Sequence, residues 1–162
     1  MIGNLKIAEI DMDLILWRHA DAEEGSVIDV GRKLTAKGEI QAQLMGKWLK
    51  SKLPEKFRVL ASPTKRTQQT AQALTKTIET VKSIGPGADA ISILAAAGWP
   101  DAKGTIVVVG HQPTLARVAA FLLAGEEADW NMKKGNVWWL SNRVREARAQ
   151  TVLKVMMSPE YL

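Results

Sequence analysis

The two histidines of the sequence are the residues whose type and position first indicate chemistry. His19 ends the stretch LILWRH and His111 ends the stretch VVVGH, so each follows an apolar run. An imidazole titrates near neutral pH and can act as a nucleophile or a proton acceptor. Ligands of open parallel α/β sheets bind at the carboxyl ends of the strands. We therefore expect both histidines at one sheet edge, provided that their strands are neighbours.

Two arginines accompany these histidines. Arg18 directly precedes His19, and Arg66 lies in the stretch ASPTKRTQQTA. Ser62 is predicted to cap a helix there, with Pro63 at the first helical position, which places Arg66 in the first turn. The free N–H groups and the dipole of that turn favour anions. Four side chains together predict a metal-free pocket for a phosphoryl group: Arg18, His19, Arg66 and His111.

An alternation of apolar strands and amphipathic helices must position these side chains. The runs Met12–Trp17 and Thr105–Gly110 lack alternation, which is typical of strands buried on both faces of a parallel sheet, and Phe57–Ser62 is a third candidate. Helical spacing predicts helices over residues 35–53, 63–80, 88–98 and 113–124. Residues 136–142 and 149–157 predict a terminal hairpin.

These elements predict an α/β fold: a three-layer α/β/α sandwich around a mostly parallel sheet, with a C-terminal antiparallel hairpin. A single domain covering residues 1–162 is expected. In the first helix, Thr35 is the predicted cap, and the stripe predicted to face the core consists of Ile40, Leu44, Trp48 and Leu49. Trp138 and Trp139 are also predicted to pack in the core.

Composition limits the classes of function. The chain has no cysteine, which excludes disulfides and thiolate chemistry, and no metal or other cofactor is expected. No apolar run approaches the ~20 residues that span a bilayer, and the charged N-terminus lacks a signal-peptide core, so a cytoplasmic protein is expected. The net charge of +5 favours anionic partners. Basic residues are dispersed with little aromatic interleaving, so nucleic acid is not expected as a partner, and neither is a membrane.

The ordered motifs resemble the histidine phosphatase superfamily, also called phosphoglycerate-mutase-like, and match best its small bacterial SixA-type phosphohistidine phosphatases. The motifs are RHA at 18–20, RKLTAKG at 32–38, SPTKRTQQTA at 62–71, PGAD at 86–89, GHQP at 110–113, KKGNVWWL at 133–140 and MSP at 157–159. The resemblance covers nearly the whole chain after Met12. It implies a metal-independent phosphatase in which His19 is the nucleophile and forms a covalent phosphohistidine. It also implies that Arg18, Arg66 and His111 bind the phosphoryl oxygens.

The sequence departs from the family pattern at two places. Ala20 stands where the family has the glycine of RHG. An alanine would be strained there if the backbone had a positive φ. Phosphomonoesterase relatives place a general-acid glutamate before the third helix, where this chain has Ser83. Asp21 or Glu23, or the adjacent Glu24, is a candidate replacement. Alternatively no acid is needed, because the phosphoamidate bond of phosphohistidine is labile.

Three functions follow, in order of preference. The first is a phosphatase acting on phosphohistidine in a signalling or phosphocarrier protein. The second is a phosphatase of small phosphorylated metabolites that uses Asp21 or Glu23 as acid. The third is a basic anion-binding module with a degenerate site. A monomer is expected, and Arg32 receives no role.

Overall fold

The computed structural model describes residues 11–25 and 29–162, and within them the chain forms one six-stranded sheet. The expectation about the charged N-terminus falls mainly on residues outside this range. The order of the strands across the sheet is β3-β2-β4-β1-β5-β6. Their bounds are β1 Met12–Arg18, β2 Arg58–Ala61, β3 Glu79–Thr80, β4 Gly104–Gly110, β5 Val137–Arg145 and β6 Arg148–Met157.

Strands β1 and β4 are parallel neighbours, and their register fixes the geometry of the site. Trp17 pairs with Val109 and Arg18 with Gly110, so the residues that follow each strand emerge side by side. The backbone N–H of His19 donates to the carbonyl oxygen of Gly110 at 3.1 Å and continues the ladder by one bond. The predicted adjacency of the two histidine-bearing strands is thereby confirmed.

The sheet is mixed as expected. Strand β4 pairs in parallel with both β1 and β2, and β2 pairs in parallel with β3. Strand β5 runs antiparallel to β1 and to β6, which gives the predicted C-terminal hairpin.

Four α-helices cover the two faces of this sheet in the described part of the chain: α1 Ala36–Lys52, α2 Lys65–Gln72, α3 Ala90–Ala97 and α4 Thr114–Ala124. Met45 of α1 and Ala71 of α2 belong to a core cluster with Ile15 of β1. Ile93 of α3 and Val118 of α4 belong to a second cluster, formed on the opposite face of the sheet. The predicted three-layer α/β/α architecture is therefore confirmed.

The predicted core stripe of α1 is partly wrong. Thr35 caps the helix as expected, its side chain accepting from the N–H of Gly38, and Leu49 is buried. Ile40 and Leu44, however, are 59% and 36% exposed. The helix is rotated so that small residues approach its neighbours, and the buried positions are Gly38, Ala42, Met45, Gly46 and Leu49.

Helix α2 is shorter than predicted and begins later. Its cap is Thr64 rather than Ser62, and it ends at Gln72 rather than near residue 80. The β-branched residues that follow favour an extended chain, and Glu79–Thr80 adds the short strand β3 beside β2. No helix in the described ranges is long and apolar enough to cross a membrane.

Candidate active site

His19 lies immediately after β1 and is 93% buried, with 7% of its surface exposed. Its Nδ1 lies 2.8 Å from the carbonyl oxygen of Ala20. A carbonyl only accepts, so Nδ1 must carry the hydrogen, and in the neutral ring Nε2 then carries the lone pair. Burial, with smaller contributions from the charges of Arg66, Arg18 and Lys134, lowers the pKa of His19 to about 4. The imidazole is therefore neutral near pH 7.

The backbone around Ala20 carries no strain of the kind that the sequence raised. The described non-glycine residues with positive φ are Glu146 and Ala147, in the β5–β6 turn. Ala20 is fully buried, and its N–H donates to Oγ1 of Thr70 in α2 at 3.0 Å. Alanine therefore replaces the family's glycine at a position where its conformation is ordinary.

Arg66 lies in the first turn of α2, as predicted, and is 3% exposed. Its Nη1 donates to the backbone oxygen of Asp29 at 2.7 Å, and its Nη2 lies 3.1 Å from Oδ2 of the same residue. Nη2 also lies 3.3 Å from Nδ1 of His111. The buried Nε of Arg66 has no hydrogen-bond partner among the described residues.

His111 completes the cluster from the end of β4. Its ring centroid lies 5.4 Å from that of His19, and its Nε2 lies 2.8 Å from Oγ of Ser62. Because the guanidinium of Arg66 can only donate, Nδ1 of His111 accepts, and Nε2 carries the hydrogen and donates to Ser62. Burial, with smaller contributions from nearby charges led by Arg66, lowers the pKa of His111 to about 3.

Arg18 is held by the segment that precedes β5. Its Nη1 donates to the carbonyl oxygen of Met132 at 2.8 Å, and its backbone N–H donates to the oxygen of Asn136 at 3.1 Å. The buried Nε of Arg18 also lacks a protein partner in the described residues. The positive charge of Arg18 contributes to lowering the pKa of both His19 and His111.

The structure thus brings the four predicted side chains into one cluster at the carboxyl edge of β1 and β4. Two guanidinium groups retain unpaired N–H donors there, beside a neutral imidazole whose Nε2 bears a lone pair. This combination suits a phosphoryl group, whose transferred charge spreads over three oxygens. Within the described residues no group of three or more His, Cys, Asp or Glu side chains could hold a metal ion.

The two candidate acids lie close to His19 in sequence but are engaged elsewhere. Asp21 accepts from Nζ of Lys134 at 2.9 Å and from Oγ1 of Thr35 at 2.7 Å. The hydrogen bond from Lys134, followed by that from Thr35, lowers the pKa of Asp21, so this group is ionised near neutral pH. Glu23 is exposed, with Oε1 at 3.8 Å from Nζ of Lys33. Ser83 is exposed as well.

Sequence reasoning missed three contacts of the site. Asp29 binds Arg66, Lys134 binds Asp21, and Ser62 binds His111 instead of capping α2. Arg32, which received no role, forms a salt bridge with Asp29 at 2.8 Å. The motif KKGNVWWL contains Lys134, but the resemblance did not indicate which atom it would meet, and Asp29 lies outside all of the quoted motifs.

The fold and this cluster define a class of protein: an α/β phosphatase with paired histidines and arginines at the carboxyl edge of its sheet. The histidine phosphatase superfamily (branch 1) matches residues 14–89. The phosphohistidine phosphatase SixA of Escherichia coli (strain K12) is 30% identical over 123 residues, which cover 71% of this chain and 76% of that protein. The chain therefore belongs to the histidine phosphatase superfamily.

Two further comparisons extend over nearly the full length. An uncharacterized protein of Picosynechococcus sp. (strain ATCC 27264 / PCC 7002 / PR-6) is 30% identical over 170 residues, covering 93% of this chain and 99% of that protein. The solved structure of the protein histidine phosphatase SixA complexed with tungstate superposes with a TM-score of 0.77 at 25% identity. That match covers 93% of this chain and 99% of the solved one.

Proposed function

We propose that the protein removes the phosphoryl group from phosphohistidine in a protein substrate, through a covalent intermediate on His19. The observation that carries this proposal is the state of the His19 ring. Its Nδ1–H is bound to the Ala20 carbonyl at 2.8 Å, and its pKa is lowered by burial to about 4. A neutral ring with its second nitrogen unprotonated is what nucleophilic attack on phosphorus requires.

In the first step, the Nε2 lone pair of His19 forms a bond to phosphorus. The bond from phosphorus to the substrate nitrogen breaks, and that nitrogen keeps the electron pair. The other nitrogen of the substrate ring has taken a proton from solvent beforehand, so the leaving group is neutral imidazole. Arg18 and Arg66 bind the phosphoryl oxygens during this transfer. Their buried, unpaired Nε–H donors support this role. Such preorganised donors stabilise the charge that the transition state spreads over the oxygens.

His111 assists once an anion is bound. In the described arrangement both of its nitrogens are engaged, by Arg66 and by Ser62. A phosphoryl dianion beside the ring raises the pKa of His111, because an opposite charge stabilises the protonated form. Protonated His111 then gains an Nδ1–H that donates to a phosphoryl oxygen.

In the second step, water attacks the phosphorus of phosphorylated His19. The bond from phosphorus to Nε2 breaks, inorganic phosphate leaves, and the neutral ring is restored. No metal takes part in either step, and the expected monomer suffices for both.

The choice of phosphohistidine over a phosphate ester follows from the leaving group. An alkoxide needs a proton from a positioned acid, whereas imidazole is readily expelled. The lowered pKa of Asp21 makes it a poor proton donor, and the carboxylate of Glu23 is exposed, with Oε1 at 3.8 Å from Nζ of Lys33. The proposal is further supported by the similarity to the SixA phosphatase of Escherichia coli.

Phosphate release from a phosphorylated histidine-phosphotransfer domain tests the proposal. We expect the protein to accelerate phosphate release. With the His19→Ala variant we expect a release rate that is at least about 100-fold lower than with the protein. Radiolabel from the substrate is expected on His19 as an acid-labile, base-stable adduct. Equal rates with protein and variant would reject the proposal.

A panel of phosphomonoesters distinguishes the two remaining functions. High turnover of a small phosphate ester that is lost in Asp21→Asn would support the metabolite phosphatase instead. Phosphate binding without turnover on any substrate would support the anion-binding module.

A further inference from the structure

A cavity of about 550 Å³ lies beside the phosphoryl pocket, against Arg18. Its walls come from the first turns of α1, from residues 131–134 and from residues 158–160. We name it the basic cavity, because four cationic side chains line it against two carboxylates: Arg18, Lys37, Lys133 and Lys134 against Asp21 and Glu160. The lining therefore carries an excess of positive charge.

The basic cavity is continuous with the catalytic strand end. The N–H of Gly135 donates to the carbonyl oxygens of Arg18, at 3.2 Å, and His19, at 3.0 Å. The segment that carries Lys133 and Lys134 is thus bound directly to the backbone of the nucleophile. The charge of Lys134 also contributes to lowering the pKa of His19, so the two sites share one electrostatic field.

Two of the lysines have no carboxylate partner within residues 11–25 and 29–162. Lys134 is neutralised by Asp21 at 2.9 Å. Lys37 and Lys133 are exposed and form no salt bridge in that part of the chain. Two unpaired ammonium groups at the rim of a concave site favour a ligand with more than one negative charge.

We infer that the basic cavity binds acidic side chains that flank the phosphorylated histidine of a protein substrate. This inference rests on the proposed function and names the substrate class that the same site would prefer. The volume is in the range that encloses a ligand much larger than a phosphoryl group, so a few side chains fit beside the histidine being dephosphorylated. Flexible lysines suit carboxylates whose exact placement varies between substrates.

The test measures binding, which does not depend on turnover. Two peptides carry a non-hydrolysable phosphotriazole analogue of phosphohistidine, one flanked by glutamates and one by glutamines, and their affinities are measured by fluorescence anisotropy at low and high salt. We expect the protein to prefer the glutamate-flanked peptide by about tenfold at low salt. The double variant Lys37→Gln/Lys133→Gln is expected to reduce that preference to about twofold or less.

The control variant is Lys56→Gln/Lys103→Gln, which makes the same change in net charge. Lys56 and Lys103 are exposed and precede β2 and β4, so they lie at the amino edge of the sheet, away from the site. This variant should keep the preference. An equal preference in the protein and in the Lys37/Lys133 variant, or no preference in the protein, would overturn the inference.

A small phosphate ester that bears a carboxylate provides a further arm. If the Lys37/Lys133 variant has a lower affinity for this ester than the protein has, but an unchanged affinity for either peptide, the cavity binds metabolites, and the inference fails. The proposed function is tested by a separate measurement. It fails if the protein releases no phosphate from a phosphohistidine protein, whatever the peptide affinities are.

Discussion

Nε2 of His111 lies 2.8 Å from the hydroxyl oxygen of Ser62, and both side chains are buried. This contact fixes the ring in the tautomer that presents Nδ1 to Arg66. In Ser62→Ala the Nε2–H of His111 loses its partner, and a buried donor without an acceptor is costly. We expect kcat to fall about tenfold and the free energy of unfolding to fall by about 1–2 kcal/mol.

Steady-state phosphate release and urea denaturation measure these two effects. Ser51→Ala is the matched control, because the Ser51 hydroxyl is exposed and donates to a carbonyl within α1. If Ser62→Ala lost stability but retained the full kcat, the hydroxyl would be structural and would not position His111 for the reaction.

The carboxylate of Asp29 lies 3.1 Å from Nη2 of Arg66, and we expect it to compete with a phosphoryl group for that donor. Burial opposes its ionisation, but hydrogen bonds from Arg32 and Arg66 outweigh this and lower the pKa of Asp29. Asp29→Asn retains an oxygen that can accept from Nη2 while it removes the negative charge. We expect inorganic phosphate to inhibit this variant at a concentration about two- to fivefold lower, an effect that weakens with salt.

Competitive inhibition by phosphate at two ionic strengths measures the change. Glu79→Gln removes the same charge from the Arg58 ion pair at the edge strand β3 and serves as the control. An unchanged inhibition constant in Asp29→Asn would show that the carboxylate does not compete with the anion.

Asp21 is predicted to be dispensable for proton transfer. Its carboxylate is held ionised by Lys134 and Thr35, which lower its pKa. Asp21→Asn should therefore leave kcat on a phosphohistidine protein within about threefold, whereas loss of a general acid costs ~100-fold or more. The pH profile of kcat on that substrate is the deciding measurement. A 100-fold fall together with loss of its alkaline limb would identify Asp21 as the acid.

Stability should decrease with acid because both histidines are buried in the neutral form. Their pKa values are lowered to about 4 for His19 and about 3 for His111, below the ordinary value of 6.5. Between these values the unfolded chain binds more protons than the folded one, so stability is present above pH 6.5 and is lost as the pH falls. From pH 7 to pH 5 each histidine is expected to remove about 2 kcal/mol.

Urea denaturation at pH 7 and at pH 5 measures this loss of stability. Between these two pH values the free energy of unfolding should fall less in His19→Gln than in the parent, because one of the two buried histidines is gone. Imidazole nitrogen NMR gives an independent check. We expect His19 as the Nδ1–H tautomer, His111 as the Nε2–H tautomer, and neither ring protonated at pH 6. Titration of either ring near its ordinary pKa would contradict the buried, neutral site.

The sequence was sufficient to predict the elements that carry the chemistry, because continuous apolar runs identify β1 and β4 and polar residues mark where those strands end. Asp29 was not predictable, since 37 residues separate it from Arg66 and only the folded chain brings their atoms together. The buried face of α1 was misassigned for a different reason. Hydrophobic periodicity favours Ile40 and Leu44 as core residues. The packed face instead combines the large side chains of Met45 and Leu49 with the small residues Gly38, Ala42 and Gly46.

Gly46 illustrates that packing and provides the last prediction. A Cβ added there would meet the carbonyl group of Ala73, just after α2, with the carbonyl carbon at 2.8 Å. Backbone cannot yield as a flexible side chain does, so Gly46→Ala must separate α1 from the C-terminal end of α2. We expect it to lower the free energy of unfolding by about 1–3 kcal/mol despite the better helix propensity of alanine.

Gly31→Ala is the control, because a Cβ at Gly31 meets nothing within 4 Å. The free energy of unfolding of this variant should differ from that of the parent by less than about 1 kcal/mol. Urea denaturation of both variants measures the difference, and equal stabilities would mean that α1 tolerates a larger residue at this contact.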